Sequence, residues 1–414
     1  MKKVIVVGGG ISGLCSAYYL VKEGYDVTIL DQTDMTSGAS FINAGYITPS
    51  HFIPLAAPGI ITQGLKWMLN SSSPFYIKPR WDMEFFKWAL LFKKSATASK
   101  VKKALPVLKE LNLKSRSLYE ELLASHDFDF HYKRKGVLMA YCTDKAEHEE
   151  REVAEQAIRE GLEVSILSKE KLQEIQPVLS DEVKGAVHYQ CDAHMTPNHF
   201  MQQLKEWLQA HGVQFKLGEK VEGFTVKEEK IVSLKTQDSI FEADEFVLAS
   251  GSWTSKLASS LGLKIPIQGG KGYSMDVNRP TGITLPTILV DARMAITPMD
   301  GFTRFAGTME FSGNNNTIKK ERVEALAKAV KAHYRDIEIQ ADELNKATSG
   351  LRPVSPDGLP YIGKTSKYQN LTIAAGHAMM GWSLGPVTGK LVAQEIAKEK
   401  TMVNLELFSP DRFK

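Results

Sequence analysis

The sequence predicts an α/β protein that opens on a parallel β-α-β unit. Three observations carry this. Val4 to Val7 is an unbroken apolar run, Gly8-Gly9-Gly10-Ile11-Ser12-Gly13 follows it directly, and Tyr25 to Leu30 is a second apolar run ending at Asp31. The first run reads as a strand buried on both faces, and Ile11 to Lys22 reads as the helix behind it. Gly8 allows the tight turn, Gly10 lets backbone approach a pyrophosphate, and Gly13 lets the helix pack closely on the sheet. The helix N-terminus offers unpaired N–H groups to the phosphates, with Ile11 and Ser12 in its first turn. Asp31, beside Gln32, stands about twenty residues beyond the glycines, where a carboxylate takes a ribose hydroxyl. An acid there disfavours a phosphorylated ribose and hence NADPH; FAD and NAD both fit.

Size and composition set the frame. A chain of 414 residues with 43% hydrophobic and 24% charged residues is ordinary for a globular protein of two domains. A net charge of +3, with no long basic run, argues against nucleic acid. Cys15, Cys142 and Cys191 form no CxxC, which argues against a disulfide scaffold and fits a reducing, cytoplasmic compartment. His188, Cys191, Asp192 and His194 lack the spacing of a metal site, so no metal is expected. No apolar stretch reaches membrane-spanning length.

Along the chain the nucleotide-binding domain is expected in three pieces, residues 1–53, 193–260 and 346–414. Residues 54–192 and 261–345 build the second domain. Ile60 to Leu69 and Trp81 to Phe92 read as amphipathic helices within a segment spanning 60–92. Trp81, Phe85, Trp88, Leu91 and Phe92 make one broad apolar face beside Lys87, Lys93 and Lys94. That face packs on the protein itself, on a membrane interface or on a partner. Leu105 to Ala124, Lys145 to Arg159, Met195 to Leu208 and Glu321 to Tyr334 read as helices, the third capped by Thr196 with Pro197 at its first position. Gly136 to Tyr141, Gly185 to Gln190, Val213 to Phe215, Ile231 to Lys235 and Phe246 to Ala249 read as strands. So do Lys271 to Met275, Met294 to Pro298 and Phe302 to Thr308.

The run from Ser349 through Arg352-Pro353 to Gly363 resembles a signature of the FAD-dependent amine oxidoreductases, the group of D-amino-acid oxidase, glycine oxidase and sarcosine oxidase. Within it the chain is most similar to the small subunit of bacterial D-amino-acid dehydrogenase. Asn43 to Pro49, Trp67-Met68, Lys271 to Ser274, Asn370-Leu371, Gly376-His377 and Gly381-Trp382 carry the rest of the resemblance, in the same order. It implies FAD rather than NAD, a Rossmann-like FAD-binding domain, and an α+β substrate domain on a mixed or antiparallel sheet. Tyr46 and Gln268-Gly269-Gly270 depart from the expected pattern and leave the substrate side chain open. The cysteine that tethers flavin in monomeric sarcosine oxidase has no counterpart, so non-covalent FAD is expected.

The candidate site follows. Ser37, Ser40 and Asn43 can donate to FAD acceptors, while Ala39, Ala44 and Gly45 permit close backbone approach. Val221, Gly251, Trp253, Gly376, His377, Gly381 and Trp382 complete the cofactor set, with His377 readable equally as a structural histidine. Arg352 offers a planar fork to a substrate carboxylate, unless it forms a structural ion pair, for which Asp357 is the candidate partner. Tyr273, Tyr46 and His51 are further pocket candidates. The resemblance implies oxidation of a D-amino acid, or of a cyclic one of the D-proline or hydroxyproline type. Hydride would pass from Cα to flavin N5, so no acid or base need act on Cα. Electrons would then pass to a quinone or another carrier, with peripheral contact to the cytoplasmic face of the inner membrane as one arrangement. An oxygen-using oxidase releasing peroxide, a non-catalytic flavin-binding subunit and an NAD enzyme are the alternatives.

Overall fold

The structure is a computed structural model and describes residues 1–58 and 75–414. Its first sheet grows from the strand Lys3–Val7, in which Val4 to Val7 are all buried. Alternate side chains serve opposite faces. Val4 and Val6 join the core beneath the helices, whereas Ile5 and Val7 pack with Ile231 and Leu234 of a small antiparallel sheet behind. The strand order is Gln214–Leu217, Asp26–Asp31, Lys3–Val7, Glu245–Leu248, Leu371–Ala375 and Tyr361–Lys364. The first five run parallel and the last is antiparallel.

Two helices cover one face, Ile11–Lys22 and Gly385–Ala397. They cross closely because a Cβ on Gly389 would stand 2.4 Å from the Cys15 backbone, and one on Gly385 2.6 Å from Ile11. This contact draws the turn before the C-terminal helix toward the glycine turn at Gly8.

The second sheet is mixed. Its order is Thr348–Val354, Gln268–Val277, Thr303–Phe311, Met294–Pro298, Thr287–Leu289, Val137–Tyr141, Gly185–Tyr189 and Val164–Ser168, with Phe75–Ile77 beside the end of Thr303–Phe311. Thr287–Leu289 pairs parallel with Val137–Tyr141; Phe75–Ile77 pairs parallel with Thr303–Phe311. The expected boundary at 346 is corrected here. Thr348–Val354 lies on this second sheet, in antiparallel register with Gln268–Val277. Backbone pairing along that whole edge outweighs the segment's closeness in sequence to the first sheet. Lys230–Lys235, within the expected 193–260 piece, forms the middle of the small antiparallel sheet that packs on the first sheet.

Helix boundaries follow caps more than periodicity. The helix expected from Leu105 spans Ala98–Ala124, because the Thr97 side chain accepts from Lys100 N and starts it earlier. Thr196 precedes Pro197–Ala210 but does not cap it with its side chain; its hydroxyl meets His131 Nδ1 and accepts from Asp300 N. The Trp81 to Phe92 face is also corrected. The helix is Met83–Ser95, capped by Asp82, and Trp81 stands before it with 92% of its surface exposed. Phe85 and Trp88 turn inward onto Phe311 and Val354, and Trp88 Nε1 donates to Val354 O at 2.9 Å. Ile60 to Leu69, with Trp67 and Met68, lies outside the described residues. Among the described residues, no helix is long and apolar enough to cross a membrane.

Candidate active site

The two sheets enclose one cavity of about 1850 Å³. On the first sheet its wall is made by Val7, Leu30, Asp31, Ala249, Ala374 and Ala375, at the carboxyl ends of the parallel strands. Ligands bind at that edge in open α/β sheets. On the second sheet the wall includes Gly272, Tyr273, Thr308 and Arg352. The volume exceeds that of an ordinary small-molecule pocket, roughly 300–1,000 Å³, and suits an extended dinucleotide with a small substrate.

Of the predicted cofactor residues, Gly8, Gly10, Ile11, Ser12, Asp31, Gln32, Ser37, Ala39, Ser40, Asn43, Ala44, Val221, Gly251, Trp253, His377, Gly381 and Trp382 line this cavity. Gly13, Gly45 and Gly376 do not line it. Each is glycine for packing. A Cβ on Gly13 would lie 1.9 Å from Gly8 O, one on Gly45 2.1 Å from Met195 O, and one on Gly376 2.6 Å from the Tyr361 ring. Asp31 is held in place: Oδ2 accepts from Gly9 N at 2.7 Å, and Oδ1 accepts from the Thr33 amide and hydroxyl. Ser40 Oγ accepts from Ile11 N at 3.0 Å, which leaves its hydroxyl proton for a ligand. Asn43 Oδ1 accepts from Gly45 N and so shapes the loop.

That loop is clamped from the second sheet by residues the sequence reading did not single out. Arg304, buried and paired with Asp276 through two bonds of 2.8 and 2.7 Å, donates Nη1 to the carbonyls of Phe41 and Asn43. Thr297 Oγ1 donates to Ala44 O at 2.7 Å. Tyr46 belongs to the same clamp. Its hydroxyl faces the carbonyls of Thr287 and Ile296, so its single proton is committed and the residue acts as a wall, not as a donor to substrate. Tyr273 is similarly committed, donating to Glu310 Oε2 at 2.8 Å. Gly350 lets the Arg352 strand pass this loop, since a Cβ there would stand 2.9 Å from Ala39 Cα.

Arg352 is a cation on the second-sheet wall of the cavity. Its Nη1 donates to Thr308 O at 2.9 Å, and among the described residues no carboxylate lies within ion-pair distance. Asp357, the alternative partner, is taken by Arg412 through bonds of 2.7 and 3.0 Å. Burial pushes the Arg352 guanidinium down to about 10, so it stays charged at neutral pH. Two backbone features set its position. Pairing of Lys271 with Glu310 and of Tyr273 with Gly307 leaves a bulge at Thr308, whose φ of 65° lies in the left-handed region. Gly272 leaves room for the fork, because a Cβ there would stand 2.2 Å from Nη1.

The two histidines differ. His377 Nε2 meets Thr388 Oγ1 at 2.9 Å, tying the turn to the C-terminal helix, and burial pushes its imidazole down to about 3. His51 lines the cavity, meets Ser50 Oγ through Nδ1 at 3.0 Å, and is pushed down to about 4 by burial. Both are neutral at pH 7. Trp382 lines the cavity with its indole N–H buried and, among the described residues, without a partner, a donor available to an acceptor-rich ring system.

A glycine turn at a parallel-sheet edge shares one cavity with an arginine that, among the described residues, has no carboxylate within ion-pair distance, an arrangement that fits an oxidoreductase of the dinucleotide-cofactor class. The sequence pattern of the FAD-dependent oxidoreductases matches residues 3–395, and the chain belongs to that family. Similar curated proteins include a D-amino acid dehydrogenase of Helicobacter pylori, 31% identical over 413 residues, covering 99% of this chain and 98% of that one. A D-amino acid dehydrogenase of Neisseria meningitidis serogroup C is 30% identical over 424 residues, covering 99% of each chain. In fold the chain is similar to glycine oxidase from Geobacillus kaustophilus, with a TM-score of 0.78 at 22% identity over 100% of both chains. L-proline dehydrogenase from P. horikoshii gives a TM-score of 0.75 at 20% identity, over 100% of this chain and 97% of that one. FAD is the family's cofactor, and the residues present fit it: the Gly8 to Ser12 turn, the fixed Asp31 carboxylate, the Ser40 hydroxyl and the unpartnered Trp382 donor.

Proposed function

We propose that this chain dehydrogenates a D-amino acid, or a cyclic amino acid of the D-proline or hydroxyproline type, and passes the electrons to a quinone or another carrier. The observation that supports it most is Arg352, a half-buried charge that faces the same cavity as the dinucleotide turn and, among the described residues, has no carboxylate within ion-pair distance. A desolvated cation is costly unless a ligand supplies the countercharge. A carboxylate matches a guanidinium with two parallel bonds, fixing distance and orientation together. Bound FAD supplies the two-electron acceptor for the Cα–H bond.

The chain's own contribution is positioning and dehydration. Thr308 O holds one side of the Arg352 fork, leaving the other donors for the substrate carboxylate. Tyr46, Met139, Ile288 and Met294 wall the cavity with apolar surface. Holding two reactants in reacting geometry is worth about 7–11 kcal/mol of barrier in well-oriented systems. An acyclic imine product hydrolyses to a 2-oxo acid, whereas a cyclic imine persists.

The cavity lining continues to Trp81, Phe86, Leu90 and Lys93. Trp81, Met83, Phe86 and Leu90 are exposed apolar residues on or just before the Met83–Ser95 helix, with Lys87, Lys93 and Lys94 beside them. Such a surface suits a membrane interface from which a quinone would approach, and supports peripheral attachment. The function is tested by anaerobic bleaching of the FAD-loaded protein with D- and L-alanine, proline and 4-hydroxyproline. Bleaching by D-forms, with dye reduction far exceeding peroxide formation in air, is expected. Equal rapid turnover with oxygen points to an oxidase, and no bleaching by any of the six rejects the activity.

A further inference from the structure

Behind the cavity wall runs a chain of polar groups that carboxylate binding leaves unused. Ser50 Oγ lies 2.5 Å from Asp192 Oδ2 and 3.0 Å from His51 Nδ1. Asp192 is fully buried, and its Oδ1 also accepts from Ser50 N at 3.0 Å and from the Cys191 thiol at 3.4 Å. Ser50 has one proton. With Asp192 ionised that proton goes to the carboxylate, so His51 must donate from Nδ1 to Ser50 Oγ. The Nε2 lone pair is then left over. Among the described residues Nε2 has no partner, and it is not among the atoms closed off from solvent, on a residue that lines the cavity.

We infer that His51, Ser50 and Asp192 form a proton relay that takes the ammonium proton of the substrate and stores it on Asp192. The inference rests on the amino-acid reading above. Oxidation at Cα needs a neutral amine, yet an amino acid arrives protonated. The substrate N–H bond breaks as an Nε2–H bond forms on His51. The Nδ1 proton moves to Ser50 Oγ, and the Ser50 hydroxyl proton moves to Asp192 Oδ2. No electrons are exchanged. Substrate ends neutral, Asp192 ends protonated, and His51 ends as the other neutral tautomer.

Burial accounts for why the proton moves on. It pushes the His51 imidazole down to about 4, so an imidazolium would not persist there, and lifts the Asp192 carboxyl to about 7. The titratable neighbours of Asp192 are Arg116, Cys191 and Tyr189; among them Arg116 favours the ionised form, and its Nη1 is already bound to Cys191 O. His51 is the group facing substrate, while Ser50 and Asp192 are positioning residues that act through it.

The test is anaerobic reduction of the FAD-loaded protein by D-alanine, followed by rapid mixing between pH 6 and 10, in wild type and in the Ser50→Ala, Ser50→Thr and Asp192→Asn variants. Ser50→Ala and Asp192→Asn are expected to reduce on the order of tenfold more slowly at pH 7, with the wild-type rate regained at pH 10. Their apparent pKa should move toward that of free ammonium, and Ser50→Thr should restore the wild-type profile. Profiles that overlay wild type overturn the relay while leaving the activity standing. Absence of bleaching in wild type overturns both. A second measurement needs no variant: at pH 9, ¹⁵N-histidine spectra should show His51 protonated at Nδ1, and protonation at Nε2 overturns the relay.

Discussion

Replacing Arg352 by alanine removes a positive charge that Thr308 O and the space at Gly272 hold on the second-sheet wall, placed to meet a carboxylate. The structure sets the scale of the effect. One donor of the fork is committed to Thr308 O, and among the described residues no carboxylate competes for the rest. A substrate carboxylate in the variant cavity would be desolvated without a partner. Truncating one member of a buried charge pair costs about 3–5 kcal/mol. At about 1.4 kcal/mol per tenfold, binding weakens roughly 150- to 4,000-fold. Arg352→Lys keeps the charge but loses the planar fork, so an intermediate loss of about 10- to 100-fold is expected, one charge-assisted bond's worth. The assay is anaerobic flavin bleaching titrated with a D-amino acid, with bound FAD measured separately from its absorbance. Unchanged FAD content with a greatly raised substrate Kd is the expected result. A Kd within threefold of wild type refutes the assignment of Arg352.

Gly272→Ala should imitate the loss of Arg352 in part, because its Cβ would displace the guanidinium from 2.2 Å; substrate Kd should rise at least about tenfold with FAD retained. Gly13→Ala should act on the fold instead, since its Cβ would lie 1.9 Å from Gly8 O. A loss of about 1–3 kcal/mol or more is expected in urea unfolding, with FAD retention falling alongside. Acid stability should follow the buried imidazoles. His194 and His377 are pushed down to about 3 and His51 to about 4, from an ordinary 6.5. Between those values the unfolded chain binds protons that the native imidazoles refuse, so their contribution to stability rises with pH across the window and is lost as pH falls below 6.5, opposed there by Asp192, whose raised carboxyl holds a proton that the unfolded chain releases. Each such group adds about 1.4 kcal/mol per pH unit of slope. His377→Gln, which keeps an amide for Thr388, should flatten that slope by one group's share in urea midpoints measured from pH 4 to 6.5.

What could be read from the chain is what short-range physics determines. The strand, glycine turn and helix from Val4 to Lys22 depend on neighbours in sequence, and Asp31 on a fixed spacing. Arg352 was legible through the motif around it. The groups that shape its surroundings were not. Thr308 acts through a bulge and a left-handed φ that only cross-strand pairing reveals. Arg304 reaches the carbonyls of Phe41 and Asn43 from another sheet, and Ser50 meets Asp192 across 142 residues of chain. Trp81 fits the helical phase of Phe85 and Trp88, but the Asp82 cap starts the helix after it and leaves it in solvent. The Thr348–Val354 strand was misplaced for the same reason: its sheet partner is remote in sequence.

On this reading the cavity recognises an amine that bears a carboxylate. The most direct measurement compares anaerobic bleaching of the FAD-loaded protein by D-alanine and by ethylamine, the same amine without its carboxylate. Saturable bleaching by D-alanine with none by ethylamine at the same concentration is the predicted result. Bleaching by both to the same extent, or by neither, contradicts it.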